Sequence, residues 1–289
     1  MQKRTIFIFV LLLLTLHAQG QLLWKISGNG LKKSSYLFGT HHLIDKDKIP
    51  QFDSILAVCA QADAVVGEMD LKEPGIQKKM MQGSVMKGKK MKDLVSPADF
   101  QMLDTEFKSV MGVGMSLLGS FKPMVVMSLH QLTLYLKMSG LKKQPVAVDE
   151  LFQKQARAGS KAVIGLETID YQINVLFNSM TLERQAEVLL YEVRQKDQLM
   201  KDLSQLNEAY VTGNLEKMKE LDVDDESMTP EERKTLVDNR NQNWLKQLPE
   251  LLNKQSCFVA VGCLHLVGDN GLINQLRLQG YTVEPVRLN

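Results

Sequence analysis

The sequence predicts an α/β or α+β fold in which a central mixed sheet is built from both ends of the chain and carries helical insertions. Short apolar runs that stop at turn residues occur near both ends, which is typical of strands. Between them, apolar residues at helical spacing dominate residues 70–140 and 168–250. The 289 residues contain neither a long linker nor a low-complexity stretch, so one layered core is the expected arrangement.

Seven segments are predicted as strands, because each is short, apolar and followed by a turn signal. They are residues 22–27, 35–38, 64–67, 146–148, 162–165, 258–262 and 281–286. The sequence leaves the order of these strands in the sheet open.

Helices are predicted where apolar residues recur at i, i+3, i+4 and i+7 after a start signal. Phe52, Ile55, Leu56 and Cys59 form such a face just after Pro50. Ser-Pro and Thr-Pro pairs provide an N-cap hydroxyl followed by a first-turn proline. Further helices are therefore predicted to begin near residues 96 and 229, and shorter ones at 149–158 and 271–279, each closed by a glycine.

Methionines are concentrated in the first helical insertion. They are Met80, Met81, Met86, Met91, Met111, Met115, Met124 and Met127. A flexible thioether side chain suits either a helix core or an adaptable apolar surface beside a binding site. Periodicity does not separate these two interpretations.

The N-terminus has the pattern of a secretory signal peptide. Lys3 and Arg4 precede an apolar run, and the small residues Ala18 and Gly20 follow it. We therefore expect residues 1–20 to be a signal peptide, residues 21–289 to form a single domain, and the protein to be exported to the periplasm or the extracellular space. An uncleaved signal anchor is the alternative, and it is the only membrane attachment that the sequence suggests.

Charge and cysteine content exclude two classes of protein. The formal net charge is +2, and lysines and arginines are scattered among acidic residues, so no nucleic-acid partner is expected. The three cysteines, Cys59, Cys257 and Cys263, are an odd number and suit small buried apolar residues better than a disulfide scaffold.

Two similar stretches place histidines where predicted strands end. Residues 37–43 read LFGTHHL and residues 259–266 read VAVGCLHL, so each strand runs into a G-x-x-H tetrad followed by Leu. The tetrads would present His42 and His265 at the rim of the sheet, which is where layered α/β folds build their sites.

Two carboxylates occupy comparable positions. Residues 64–68 read AVVGE and residues 162–167 read AVIGLE, so Glu68 and Glu167 also follow predicted strands. Imidazole nitrogens and carboxylate oxygens together bind divalent transition metals and leave positions open for water. Bound metal lowers the pKa of that water and makes it a nucleophile. The sequence therefore predicts a rim site for a divalent transition metal such as Zn.

Each residue also has an ordinary structural interpretation. A single histidine or glutamate after a strand is commonly a loop or surface residue, and only the repetition of the pattern favours a site. His41 is open to three interpretations: a residue that supports a metal ligand from behind, a residue that contacts substrate, or the variable residue of its tetrad. His130 lies in an apolar helix and is interpreted as structural. The guanidinium of Arg240 could bind a carboxylate, although its position in the sequence alone favours the interpretation as an exposed charge on a helix surface.

Five stretches resemble the TraB/GumN family, which includes the Tiki proteases. They are YLFGTHHLIDKDKIP, ADAVVGEMDL, VDELFQKQARAGSKAVIGLET, DNRNQNW and FVAVGCLHLVGDNGLINQLRLQGYTVEPV, and together they extend from residue 36 to residue 286. The resemblance implies a TraB/GumN-like domain with two G-x-x-H tetrads, acidic residues and an arginine. By position these are His42, His265, Glu68, Glu167 and Arg240.

The resemblance also implies metal-dependent proteolysis with Mn or Co, as described for Tiki-like members. Other family names refer to polysaccharide production or pheromone shutdown, so the substrate does not transfer. The expected function is an exported metal-dependent hydrolase that cleaves a peptide or protein substrate. His42 and His265 would be ligands, one of Glu68 and Glu167 a further ligand and the other a general base, and Arg240 would hold developing charge.

Two other classes remain open from the sequence. The same rim could hold a metal or metal complex without turnover, or the Met-rich helices could dock a partner. The chain has no H-E-x-x-H helix, which excludes a standard zincin, and it contains neither a G-x-S-x-G elbow nor a Walker loop.

Overall fold

The computed structural model describes residues 22–223 and 227–288. The predicted signal peptide, residues 1–20, lies outside the described residues. Among the described residues, none of the helices combines the length and the apolar character that a membrane span requires.

Six strands form one mixed sheet in an α/β fold, as predicted. They are β1 (Leu23–Gly28), β2 (Ser35–Thr40), β3 (Ala64–Gly67), β4 (Ala162–Gly165), β5 (Cys257–Gly262) and β6 (Tyr281–Pro285). The order across the sheet is β4-β3-β5-β2-β1-β6. Strands β4, β3, β5 and β2 are mutually parallel, whereas β1 is antiparallel to both of its neighbours. β5, from the C-terminal part of the chain, therefore lies between β3 and β2 from the N-terminal part.

Helices occupy most of the remaining chain. They are α1 (Phe52–Gln61), α2 (Ile76–Ser84), α3 (Pro97–Met111), α4 (Met115–Leu118), α5 (Pro123–Met138), α6 (Val148–Ala158), α7 (Ile169–Asn178), α8 (Leu182–Arg194), α9 (Lys196–Val211), α10 (Leu215–Val223), α11 (Pro230–Leu236), α12 (Asp238–Trp244), α13 (Leu248–Lys254) and α14 (Leu272–Leu278). The predicted caps form: Ser96 accepts from the backbone of Asp99, and Thr229 forms a capping box with Glu232.

The predicted strand at residues 146–148 is wrong. Val148 is the first residue of α6 and is fully buried, so its apolar side chain serves a helix start. Asp149 and Glu150 follow in the first helical turn, where negative charge is favourable.

The sheet is covered on both faces. Successive residues of β5 alternate between two buried clusters, with Phe258 against Phe38 and Phe152 on one face and Val259 beside Trp244 on the other. This two-sided burial is typical of parallel strands and explains the continuous apolar run in β5.

A third cluster lies in the helical insertion. Met91, Met115, Met124 and Met127 are buried there among α3, α5, α7 and α8, so these methionines fill a core. Met81 is 67% exposed and does not belong to that core. The cluster borders the candidate site, because Met69 packs against it directly after Glu68.

Candidate active site

The sheet topology brings the predicted site residues to one edge. β2, β3, β4 and β5 are parallel, so their carboxyl ends share that edge. His42 follows β2, Glu68 follows β3, Glu167 follows β4 and His265 follows β5. Helix α12 supplies Arg240, which lies among them.

Arg240 joins three of the four residues. Its Nε and Nη2 donate to the two oxygens of Glu167 at 2.8 and 2.9 Å. Nη2 also donates to Glu68 Oε2 at 2.6 Å, and Nη1 donates to His265 Nε2 at 3.0 Å. The Arg240 side chain is only 6% exposed, so these bonds form away from bulk water.

Glu167 is enclosed by its donors. One oxygen accepts from Arg240 and from the indole Nε1 of Trp244, at 2.9 Å, and the other accepts from Arg240. The side chain is 2% exposed. As placed, Glu167 offers no open oxygen towards solvent.

Glu68 is more open. Its Oε1 accepts from the backbone N–H of Gly262 at 2.8 Å and lies 3.9 Å from His265 Nε2. Its Oε2 accepts from Arg240 and from Gln172. Burial acts to raise the pKa of Glu68, but the charges of Arg240 and the histidines, together with the Gly262 N–H, outweigh burial and lower the pKa to about 2.

Gly262 is required here for space. A Cβ at this position would lie 3.3 Å from Glu68 Oε1 and 3.5 Å from the His265 ring. At Gly39, the glycine of the other tetrad, a Cβ would lie 3.1 Å from the backbone of Cys263. The tetrad glycines therefore permit close approach between neighbouring strand ends, and neither adopts a left-handed conformation.

His265 is held on both ring nitrogens. Nδ1 lies 2.8 Å from Asn241 Oδ1, while Nε2 accepts from Arg240. The Trp244 ring packs against the imidazole with centroids 4.4 Å apart. Burial is the main cause that lowers the pKa of His265 to about 4, so this imidazole is neutral at pH 7.

His42 lies at the open side of the site. Its side chain is 61% exposed, and its Nδ1 lies 3.1 Å from Asp149 Oδ2. The other oxygen of Asp149 accepts from the hydroxyl of Thr40 at 2.9 Å. The hydrogen bond with Asp149 is the main cause that raises the pKa of His42 to about 9.

His41 faces a different environment. Its ring packs against Tyr210 and Tyr135, with centroids 5.3 and 6.5 Å away, and its Nδ1 accepts from the backbone N–H of Leu43. Tyr135 belongs to α5, so the helical insertion reaches the neighbourhood of the site through His41. His130 lies elsewhere, fully buried between Glu106 and Glu192.

The sequence model of the TraB/PrgY/gumN family matches residues 22–285, nearly the whole chain. The chain belongs to this family. Comparison with curated proteins and with solved structures finds no match.

The donor atoms at this site and their charges bear on metal coordination. Within residues 22–223 and 227–288, no group of three or more His, Cys, Asp or Glu side chains is already arranged around a common point. Glu68, Glu167 and Asp149 carry three negative charges when ionised and Arg240 carries one positive charge. This leaves two negative charges when both imidazoles are neutral, and one when His42, whose pKa is raised to about 9, is protonated. A divalent cation would balance that charge.

The donor atoms of the site also suit a metal, provided that one existing hydrogen bond is replaced. His42 Nε2 has no hydrogen-bond partner among the described residues, and Glu68 Oε1 has a single backbone donor. His265 Nε2 would have to exchange its bond from Arg240 for the metal. His42 and Glu68 therefore retain donor atoms that a metal could use, and His265 has one that it could exchange, whereas the oxygens of Glu167 are already committed to Arg240 and Trp244.

Sequence reasoning missed four residues that shape this site. Asp149 and Asn241 face the two histidines, Trp244 binds Glu167, and Gln172 binds Glu68. The first three lie in the stretches that resemble the family. Their contacts are long-range, however, and no local pattern indicates them.

Proposed function

We propose that this protein is an exported metal-dependent hydrolase that cleaves peptide bonds at the rim site. The observation that supports the proposal best is the convergence of the His265 imidazole and the Glu68 carboxylate around one buried guanidinium at the carboxyl edge of the parallel strands, the edge at which β2 also ends before His42. This edge is where α/β sheets bind their ligands.

His42, Glu68 and His265 would hold the metal. A pKa of about 2 makes Glu68 a weak general base, because a base works best when its pKa is near the working pH, whereas a permanently ionised carboxylate is suited to a cation. Glu167 would act through Arg240, since both of its oxygens bind that side chain.

A divalent metal bound here would supply a water of lowered pKa and polarise the scissile carbonyl. Arg240 would contribute fixed positive charge beside the reacting carbonyl and hold Glu68 ionised. His42, as the most exposed member, would complete the site at the side from which substrate enters.

The test is a titration of the mature protein with Mn, Co and Zn beside a peptide-library cleavage assay. His42→Ala and His265→Ala should each abolish saturable metal binding and hydrolysis, because a site with three protein ligands cannot lose one. His41→Ala is the matched control: it removes the adjacent imidazole, which faces Tyr210, and should retain both activities.

Two outcomes would contradict the proposal. Wild-type protein that binds metal but cleaves nothing across a broad library would favour a metal-binding protein without turnover. Metal binding that survives both His→Ala changes would mean that the tetrads are structural.

A further inference from the structure

The two tetrad histidines share a feature beyond their position. Each has its Nδ1 against a side-chain oxygen from a different element: Asp149 Oδ2 in α6 for His42, at 3.1 Å, and Asn241 Oδ1 in α12 for His265, at 2.8 Å. In both rings Nδ1 is thereby occupied, and Nε2 is the other nitrogen, which accepts from Arg240 in His265.

The orientation of Asn241 is fixed by its own contacts. Its Nδ2 donates to the backbone carbonyls of His265 and Asn270, at 3.1 and 2.9 Å. Both amide protons are thus used, so the oxygen must face the imidazole, and an amide oxygen can only accept. His265 Nδ1 must therefore carry the proton.

The contact made by the other ring nitrogen of His265 indicates the same tautomer independently. Nε2 lies 3.0 Å from Arg240 Nη1, and a guanidinium can only donate. Nε2 is consequently the unprotonated nitrogen, with its lone pair directed into the site.

Asp149 makes the corresponding arrangement at His42. Its Oδ1 accepts from the Thr40 hydroxyl at 2.9 Å, which turns Oδ2 towards His42 Nδ1. An ionised carboxylate can only accept, so Nδ1 carries a proton here as well. The Asp149 side chain is 14% exposed, and Thr40 is buried, so the carboxylate is held in place.

We propose that Asp149 and Asn241 are the positioning residues of the site, which hold both histidines in the tautomer that directs the Nε2 lone pair to the rim. The proposal rests on the proposed function for the use of that lone pair, because a ligating imidazole needs the other nitrogen fixed by an acceptor. His41 is the contrast within the chain, since its Nδ1 accepts from Leu43 and its proton belongs on Nε2.

The tautomers can be measured without metal or substrate. In ¹⁵N-labelled metal-free protein, long-range nitrogen-proton spectra at about pH 7 should show Nδ1 protonated in His265 and Nε2 protonated in His41. His42 is measured at a pH at which the same spectra show its ring to be neutral. Signals are assigned with His→Gln variants.

Asp149→Ala should produce a mixture of tautomers at His42 only. In metal-free Asn241→Ala, Nδ1 of His265 should stay protonated, because Arg240 Nη1 still donates to Nε2, and the effect of this variant is read as metal affinity. Glu150→Gln and Asn239→Ala are the matched controls, because each alters a neighbour on the same helix that is not the Nδ1 partner of either imidazole. Asn241→Asp should keep the His265 tautomer, because its carboxylate retains the acceptor. If Asn241→Ala does not fold, Asp149→Ala still tests the loss of an acceptor, because the Asp149 side chain is only partly buried.

The second readout is metal affinity. Asp149→Ala and Asn241→Ala should weaken Mn binding by about 10–100-fold, the usual effect of removing such an outer partner. A neutral wild-type ring with Nε2 protonated at His42 or His265, a His42 tautomer that is unchanged in Asp149→Ala, or an Mn-binding protein whose affinity is unchanged in Asn241→Ala would overturn the inference. Tautomers as described in a wild-type protein that neither binds metal nor hydrolyses peptides would contradict the proposed function alone.

Discussion

At the scale of single residues, the acidic side chains of the site differ in what surrounds them. The Glu167 side chain is 2% exposed and bound to Arg240 through both oxygens, whereas Glu68 and Asp149 are 12% and 14% exposed. A buried ion pair costs desolvation to form, but removal of one partner leaves an uncompensated charge. Glu167 therefore contributes more to the integrity of the site than to its reactivity.

Glu167→Gln should lower the free energy of unfolding by about 3 kcal/mol, because Arg240 loses the charge of its most enclosed partner. Urea denaturation of metal-free protein measures this change. Glu150→Gln, which neutralises an exposed carboxylate, is the control and should stay within about 0.5 kcal/mol of wild type. A Glu167 variant as stable as that control would show that the Glu167–Arg240 pair is not needed for the fold.

Four of the five predicted site residues could be located from strand ends in the sequence, and Arg240 only through the family resemblance, but their partners could not be located. A residue that follows a strand can be recognised locally, and parallel strands bring such residues together. By contrast, Arg240 is 73 positions from Glu167 and 172 from Glu68. Which oxygen meets which donor depends on how α12 packs over the sheet edge, and no periodicity encodes that.

At the scale of elements, the helical insertion is joined by a buried polar cluster. His130 in α5 lies 3.0 Å from Glu192 in α8 and 3.1 Å from Glu106 in α3, and Lys196 in α9 binds the other oxygen of Glu106. Both ring nitrogens face carboxylates, so both carry protons and the ring is an imidazolium. His130 is therefore interpreted as a structural cation that links three helices.

This cluster predicts a pH-dependent contribution to stability. Burial acts to lower the pKa of His130, but its hydrogen bonds with Glu192 and Glu106 outweigh burial and raise the pKa above the ordinary 6.5. A histidine whose pKa is higher in the folded protein than in the unfolded chain stabilises the fold. This stabilisation is fully present below the unfolded-state pKa and is lost as the pH rises through the folded-state pKa.

His130→Leu should therefore cost about 3 kcal/mol at pH 6, because two buried carboxylates lose their cation, and less at pH 9. Urea denaturation at both pH values measures the difference between the two proteins. His42, whose pKa is also raised, is present in both and cancels. A difference that does not shrink at pH 9 would mean that His130 is not charged in the fold.

Element boundaries show which local signals are sufficient. Ser96 and Thr229 begin helices because their hydroxyls satisfy free backbone N–H groups within the same turn. Residues 146–148 were misassigned, because three apolar positions fit a strand as well as the buried start of an amphipathic helix. Only the packing of Val148 in the core distinguishes the two.

At the scale of the whole molecule, the sheet is assembled across the chain. β5 inserts between β3 and β2, so the parallel half that carries the site forms only when both ends of the chain are present. Alternating strands and helices predict a layered mixed sheet, but strand order depends on pairings about 200 residues apart, which the sequence pattern does not record.

The first described residues belong to this assembly, and that gives the export prediction a structural boundary. Leu22 is 7% exposed, and its carbonyl accepts from the backbone N–H of Gly39 at 3.0 Å. Cleavage at or before residue 20 would leave that bond and all of β1 intact, whereas cleavage beyond Leu22 would remove buried surface beside the first tetrad.

We therefore expect exported protein to begin between residues 19 and 21 and to unfold with the same urea midpoint as a chain expressed from residue 21. N-terminal sequencing of the exported protein gives the cleavage position. Replacement of Lys3 and Arg4 by glutamate removes the positive charge that precedes the apolar run and should reduce export, while Lys32→Glu, an exposed charge reversal in the folded domain, should not. Protein that retains Met1 in the cytoplasm would contradict export, and exported protein that retains Met1 would indicate an uncleaved anchor.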